Sequence, residues 1–549
     1  MNKLTKLIFV MSALSLFSCS PKEKVDLVIL NATAYTVDED FSIVEAVAVK
    51  DGKIVALGSS SEISDRYSSS CIIDLDKKAL YPGFIDAHCH FYSYGLGLLQ
   101  RADLTGTESF EKVLEIMENH RHKFPSIQWL QGRGWDQNLW IDKTFPDNDK
   151  LNKLFPENPV ILTRIDGHAA LVNQKALELA GIDAATKISG GKVALKNGQP
   201  TGMLIDNAIG LVTRVIPKPD ATMISEALLT AQHNCFAAGL TGVHEAGLTK
   251  EIIKIIDSLQ KAGLLKMRVY AMLSPTQETL DAYFKNGITK NENLNIGSIK
   301  LYADGALGSR GAKLIDDYSD NSGNSGLLVE NPETLKKYCQ MAYDNGFQVC
   351  THAIGDSANR LMLTIYGDIL KNKNDLRWRI EHAQVVAPSD FDLFGKYSVI
   401  PSVQPTHATS DMFWAGYRVG AERIKGAYAY NDLLRQNGWM PLGTDFPIEN
   451  INPIHTFYAS VVRKNLDGKP ETGFQMENAI SREEALRGMT LWAAKAAFEE
   501  NEKGSISVGK LADFVILDKD IMTIAENEIP NVKVLMTIVS GETVFLSEQ

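Results

Sequence analysis

The sequence predicts an α/β chain. Its parts are a (β/α)8 barrel of the TIM type, a small β-sandwich formed by both termini, and an insertion after the first barrel strand. Three observations predict this. β-type segments with Asp-Gly or Ser-Gly turns stand at the two ends, the long middle alternates strands with helical stretches, and those strands number eight, as a TIM barrel requires. The 549 residues, 44% hydrophobic and 22% charged, are globular in composition and too many for one minimal domain. A formal net charge of −11 with no basic patch argues against nucleic acid or an anionic lipid surface as partner.

At the N-terminus, Lys3 and Lys6 precede a short apolar run, Leu7 to Phe17, which is too short to span a bilayer as a helix. Leu16-Phe17-Ser18-Cys19 follows and resembles the bacterial lipoprotein cleavage box. The expectation is a signal peptide over 1–19, acylation of Cys19, and a tether from Ser20 to Lys24. The protein would then be a lipoprotein on the periplasmic or cell-surface side, touching the membrane through that anchor only. No later stretch is long and apolar enough to span a membrane. Cys71, Cys89, Cys235, Cys339 and Cys350 are scattered without CxxC pairs, so neither a disulfide framework nor a cysteine zinc site is indicated.

The first sandwich part is expected over 25–81. Val25 to Leu30 is apolar, Ala46 to Val49 leads into Asp51-Gly52, and Ile54 to Leu57 resumes. The second part, 500–549, repeats the pattern in Ala512 to Leu517 and Val532 to Val544 with a turn at Ser540-Gly541. Between them, 82–499 is the barrel. Its strands end near Ala87-His88, Val243-His244, Val269-Ala271, Leu301-Tyr302, Cys350-His352, Ile380-His382, Ser402-Gln404 and Gly443-Asp445. Helical stretches such as Pro332 to Asn345 and Ser357 to Leu370 separate most of them. Roughly 150 residues lie between the first two strands, where a unit usually needs about 30. An insertion over about 92–225 accounts for the difference.

In Pro82-Gly83-Phe84-Ile85-Asp86-Ala87-His88-Cys89-His90, residues two apart share a strand face. Ile85, Ala87 and Cys89 are expected outside, and His88 and His90 at the inner mouth, where two imidazoles can grip a divalent metal. Thr351-His352-Ala353, Ile380-Glu381-His382 and Gly443-Thr444-Asp445 bring further ligand-type side chains to strand ends, where active sites of such barrels lie. His382 shares parity with Ile380 and Trp378, so its strand is expected to bend or stop early. On the fourth strand Ile299, Leu301 and Ala303 face outward, which turns Lys300 inward. A buried ammonium is costly. Either it sheds its proton and adds CO2 to become a metal-bridging carbamate, or it pairs with Asp304 or Asp445.

The order His88-x-His90, Lys300, His352, His382, Asp445 resembles the amidohydrolase superfamily. The stretches PGFIDAHCH, RIDGHAALVN, PTGMLIDNA, KLYADGALGSRGA, THAIGD, IEHAQ, SVQPTH and GTDFPIENINP are similar to its YtcJ-like branch, which includes N-substituted formamide deformylases. The resemblance implies His88 and His90 on one metal, His352 and His382 on a second, and carbamylated Lys300 between them. It implies Asp445 as both ligand and proton-transfer base, and a divalent metal, zinc, as one or two ions. It also implies metal-activated water cutting a non-peptide C–N bond, amide or formamide, in a small molecule. Asp206 stands where a longer acidic residue is expected, and its role stays open.

For substrate contacts, His168 and His407 are candidates to face the cavity, and Arg310 to pair with an anionic substrate. Trp135, Trp140 and Trp414 either line an apolar pocket or fill cores. Two alternatives remain: a one-metal cyclic amidase or deaminase with unmodified Lys300, and a non-catalytic lipid-anchored solute-binding protein. A homodimer is open.

Overall fold

The computed structural model describes residues 22–125 and 127–548. Cys19 and the leader lie outside them. Seven parallel strands succeed one another in chain order: β1 (Phe84–Cys89), β2 (Leu240–Leu248), β3 (Arg268–Leu273), β4 (Leu294–Tyr302), β5 (Gln348–Ala353), β6 (Arg379–His382) and β7 (Ile400–Ser402). Residues 441–445 take the eighth place without forming a regular strand. Gly443 donates to the Val403 carbonyl at 3.0 Å, while Ala87 donates to Leu442 at 3.1 Å and Asp445 to His88 at 2.8 Å, so this segment closes the sheet into a barrel. Pro441 brings no N–H to the ladder. Gly443 is required by close approach, because a Cβ there would lie 2.6 Å from the His88 nitrogen. The expected (β/α)8 class holds.

Parallel strands covered on both faces read as near-continuous apolar runs. In β3, Arg268-Val269-Tyr270-Ala271-Met272-Leu273 is buried throughout. Outward residues, among them Val269, Ala271, Ile299, Leu301 and Ala303, join one core with the surrounding helices. The interior is filled rather than hollow. The helix Leu491–Ala496 and Ala497 form the floor, where Arg379 Nη2 and Gln348 Nε2 both donate to the Ala496 carbonyl.

The simple alternation expected for β1 fails at one point. Its pairing with β2 shifts register between Phe84 and Ile85 and again between Asp86 and Cys89, and the second shift changes parity before His88. Phe84 and Cys89 belong to the outer core, whereas Ile85 and Ala87 pack with Ala493 and Ala494 of the floor. The irregularity resets parity, so His88 still faces inward; an extra residue in a strand does this.

Between the helix Phe91–Gln100 and the helix Ala221–Ala237, the chain forms a separate mixed sheet. Its strands are Ala102–Asp103, Leu130–Trp135, Val160–Arg164, Ala169–Val172, Gly191–Lys196 and Gln199–Asp206. Each face carries its own apolar cluster. Trp135 and Trp140 stack in one of them, with ring centres 5.7 Å apart.

The terminal segments form two larger sheets, besides a two-stranded pair of Glu23–Lys24 with Tyr67–Ser68. One is Lys53–Gly58, Ala46–Lys50, Leu27–Leu30 and Cys71–Asp74; the other runs Glu542–Leu546, Val534–Val539, Phe514–Leu517, Ala79–Pro82, Thr33–Tyr35 and Ile43–Val44. Ile29, Val47, Leu80, Phe514 and Ile538 fill the space between. Each such side chain contributes about 1.5–3 kcal/mol. A buried fork joins this sandwich to the barrel: Arg268 Nε and Nη2 donate to the two Asp513 oxygens at 2.6 and 2.8 Å. Among the described residues no helix is long and apolar enough to cross a membrane, and the five cysteines are unpaired, four buried and Cys71 exposed.

Candidate active site

The six residues singled out by strand position converge at the C-terminal mouth of the barrel. Ligand atoms of His88, His382 and Asp445 all lie within 4.8 Å of one another. His90 Nε2 is 3.3 Å from Asp445 Oδ1, and His88 Nε2 is 3.6 Å from it. Lys300 Nζ is 3.2 Å from His88 Nε2. The His352 ring centre is 4.6 Å from that of His382.

Local backbone geometry aims these groups. His382 ends β6 with φ +75°, so the chain turns left-handed there and the imidazole leaves the face that parity assigns it. Asp445 likewise sits at φ +62°. Non-glycine residues rarely adopt this region, and it recurs where surrounding structure holds a functional group in place.

Three buried carboxyls hold the turns that follow the ligand strands. Asp86 accepts from the Thr444 hydroxyl at 2.6 Å and from the Thr444 and His88 amides, joining β1 to the loop that carries Asp445. Glu245 accepts from the Phe91 and Tyr92 amides, at the start of a helix whose cap residue, His90, offers no side-chain bond. Asp304 accepts from Ile354 at 3.0 Å and from Gly355 and Lys313 at 2.8 Å, fixing the turn after His352. Burial pushes Asp86 and Asp304 up to about 7 and Glu245 to about 8, and the amides they accept from work in the opposite direction.

The donor set fits a divalent metal. Glu381 accepts from His88 Nδ1 at 2.6 Å, and Gln404 Oε1 accepts from His382 Nδ1 at 2.6 Å. Each partner accepts the proton on Nδ1 and so leaves the Nε2 lone pair able to bind a metal, an arrangement typical of metal-ligating histidine. Asp445 Oδ1 is buried and has no hydrogen-bond partner among the described residues. Burial, reinforced by neighbouring cations, holds His352 and His382 well below the usual imidazole range, and burial lowers His90 as well. Neutral imidazole is the form that binds metal. Burial would raise Glu381, but His88 and Arg379 outweigh it and bring it down to about 2. Lys300 is 1% exposed and, among the described residues, has no carboxylate within ion-pair distance, so neither Asp304 nor Asp445 neutralises it.

The candidate ligands open onto a cavity of about 890 Å³ shared by barrel and insertion. His168 lines it, oriented by Asp206, whose Oδ1 accepts from His168 Nδ1 at 2.7 Å; its ring lies 5.0 Å from that of His352. Asp206 thus acquires a place that its sequence position left open. Gly305 and Gly311 make room for its carboxyl, since a Cβ on Gly311 would come within 2.7 Å of Oδ2.

His407 also lines the cavity, spanning Asp445 Oδ2 at 3.3 Å and Glu449 Oε1 at 3.0 Å. Burial opposes its charge, but those carboxylates outweigh burial and raise it to about 10. It therefore braces Asp445 through Oδ2. Of the tryptophans, Trp414 lines the cavity while Trp135 and Trp140 lie in the insertion core. Arg310 lies off the lining, forked on Asp320 at 3.0 and 3.1 Å, so the partner an anion would need is already engaged. Glu381, Gln404, Asp86 and Glu245 escaped the sequence reading. Glu381 is legible in hindsight, as the residue of inward parity beside His382 in Ile-Glu-His.

A family model described as "Amidohydrolase family" matches residues 71–545. Protein LONG AFTER FAR-RED 3 of Arabidopsis thaliana is 32% identical over 95% of this chain and 91% of its own. The putative amidohydrolase YtcJ of Bacillus subtilis is 30% identical over 93% and 98%. The N-substituted formamide deformylase of Arthrobacter pascens is 26% identical over 94% and 97%. Among solved structures, an uncharacterized metal-dependent hydrolase from Pyrococcus horikoshii superimposes with a TM-score of 0.73 at 28% identity, covering 91% of this chain and 99% of that one. The chain belongs to the amidohydrolase family and is a metal-dependent hydrolase acting on carbon–nitrogen bonds.

Proposed function

We propose that this enzyme cuts the amide or formamide bond of a small molecule, with zinc as its metal. His88, His90, His352, His382 and Asp445 would hold the metal. Lys300 would join them as a carbamate, formed when the neutral amine adds CO2 and loses a proton. The absence of a carboxylate partner for this buried lysine supports that modification. When bound, the metal supplies Lewis acidity toward the scissile carbonyl and lowers the pKa of water.

The chain's own residues do the rest. Asp445 accepts the proton of the attacking water and returns it to the leaving nitrogen. His407 holds its Oδ2, so the carboxylate cannot rotate away. Glu381 and Gln404 keep His88 and His382 in one tautomer and orientation. His168, set by Asp206 on the insertion side, is placed to donate to a polar atom of the substrate near His352. The observation that carries the reading is the buried, unpartnered Asp445 oxygen among four converging imidazoles.

The test is a hydrolysis screen of the zinc-loaded protein against N-substituted formamides, N-acyl amino acids and cyclic amides. At least one class should be cleaved, and Asp445→Asn should retain metal yet lose about 10²–10⁴-fold in turnover. No cleavage in any class, or near-normal turnover in the variant, contradicts the reading. A tryptic peptide containing Lys300 that is heavier by one CO2, under conditions that preserve carbamates, would support the modification.

A further inference from the structure

The chemistry at the barrel mouth is indifferent to what the rest of the substrate carries. The insertion is not. Arg101 ends the helix after β1, and Arg133 lies in the neighbouring insertion strand, where Asp103 pairs with Arg133 and Ala102 with Gly132. Both arginines line the cavity that holds Lys300 and Asp445.

Most arginines in this region are neutralised. Arg164 pairs with Asp136 and Asp166, and Arg310 and Arg418 share Asp320. Arg101 and Arg133 have no carboxylate within 4.0 Å among the described residues. Arg133 Nη2 donates to the Ile165 carbonyl at 3.2 Å, but its Nε is buried without a partner. A Cβ on Gly167 would lie 3.4 Å from that guanidinium, so the turn in Asp166-Gly167-His168 approaches it closely. Burial, with Arg101 adding to it, pushes Arg133 down to about 10, and Asp445 is among the charges that oppose this.

Two like charges lining one cavity from adjoining segments, one with a buried unmade hydrogen bond, form a costly arrangement unless an anion completes it. Guanidinium forks suit an oxyanion. The same cavity is apolar at Leu98, Leu139, Phe413 and Trp414, of which the first three are about half exposed.

Building on the hydrolase reading, we infer that the amide taken by this enzyme carries an oxyanion, carboxylate or phosphate, which Arg101 and Arg133 receive while an apolar group fills the mouth. The insertion then selects the substrate, and the barrel cuts it.

The test uses hydrolysis-proof probes on the zinc-loaded protein: N-acetylphenylalanine with CH2 in place of the scissile NH, its phosphonate counterpart, and its neutral counterpart with CH2OH in place of the carboxylate. Calorimetry should show an anionic probe binding about tenfold or more tighter than the neutral one. Arg101→Met and Arg133→Met should each remove most of that preference, and Arg133→Lys should restore part of it. A tighter carboxylate probe assigns the natural anion to a carboxylic acid, and a tighter phosphonate to a phosphate. Equal binding of charged and neutral probes, or a preference that survives in both methionine variants, overturns the inference. Turnover of N-acetylphenylalanine and its neutral analogue is measured in parallel. If neither is cut but the binding preference stands, the hydrolase reading suffers and the anion site does not. If both are cut equally well and bind equally well, only the anion site falls.

Discussion

His88 shows how much a single side chain owes to its neighbours. Its Nδ1 donates to Glu381, a carboxylate buried completely and held ionised by His88 and Arg379. Arg379 is in turn satisfied by the Ala87 and Ala496 carbonyls and by Gln348. Removing the charge of Glu381 while keeping its shape should loosen the ligand rather than the fold. Glu381→Gln is expected to weaken metal binding about 10–100-fold, read by competition with a chelating dye, while circular dichroism stays unchanged. Metal affinity equal to that of the unsubstituted protein would show that His88 needs no such partner. His382 and Asp445 depend on the backbone instead, through left-handed turns that no side-chain pattern announces.

Among the strands and helices, what the sequence disclosed and what it hid divide along physical lines. The strands are legible because each is buried on both faces, carries an apolar outer face and ends in a turn, a signal spread over many residues. Lys300 faces inward, as alternation predicts, because Ile299, Leu301 and Ala303 join the outer core. The register shift in β1 was invisible, since the irregularity arises from pairing with Gly242 to Glu245, about 150 residues away. The insertion's mixed sheet, and the placing of Arg101 and Arg133 on one cavity wall, depend on strand order that periodicity does not encode. The same holds for the Arg268–Asp513 fork, which links β3 to the sandwich across 245 positions. Removing Asp513 leaves the buried Arg268 with only the exposed Glu292, 3.5 Å away, as an ion partner. Asp513→Ala is therefore expected to cost about 3–5 kcal/mol, visible as a lower midpoint in urea, whereas a change below about 0.5 kcal/mol would mean the fork contributes only locally.

Taken whole, the molecule divides its labour. The sandwich braces the barrel from one side, the barrel gathers the ligands, and the insertion closes the cavity with His168, Arg101 and Arg133. We propose in addition that the chain is tethered through lipidated Cys19. Cys19→Ser should abolish incorporation of labelled palmitate and release the protein from the membrane fraction; unchanged labelling would remove the tether.

The central claim is that side chains from separate strands build one divalent-metal site on which the chemistry depends. Metal content after dialysis against trace zinc, measured by mass spectrometry together with turnover, tests it most directly. The intact protein should hold one or two ions per chain, lose activity with chelator and regain it with zinc, and His88→Ala and His382→Ala should hold markedly less metal. An intact protein that retains no divalent ion, or alanine variants that keep the full complement, would contradict it.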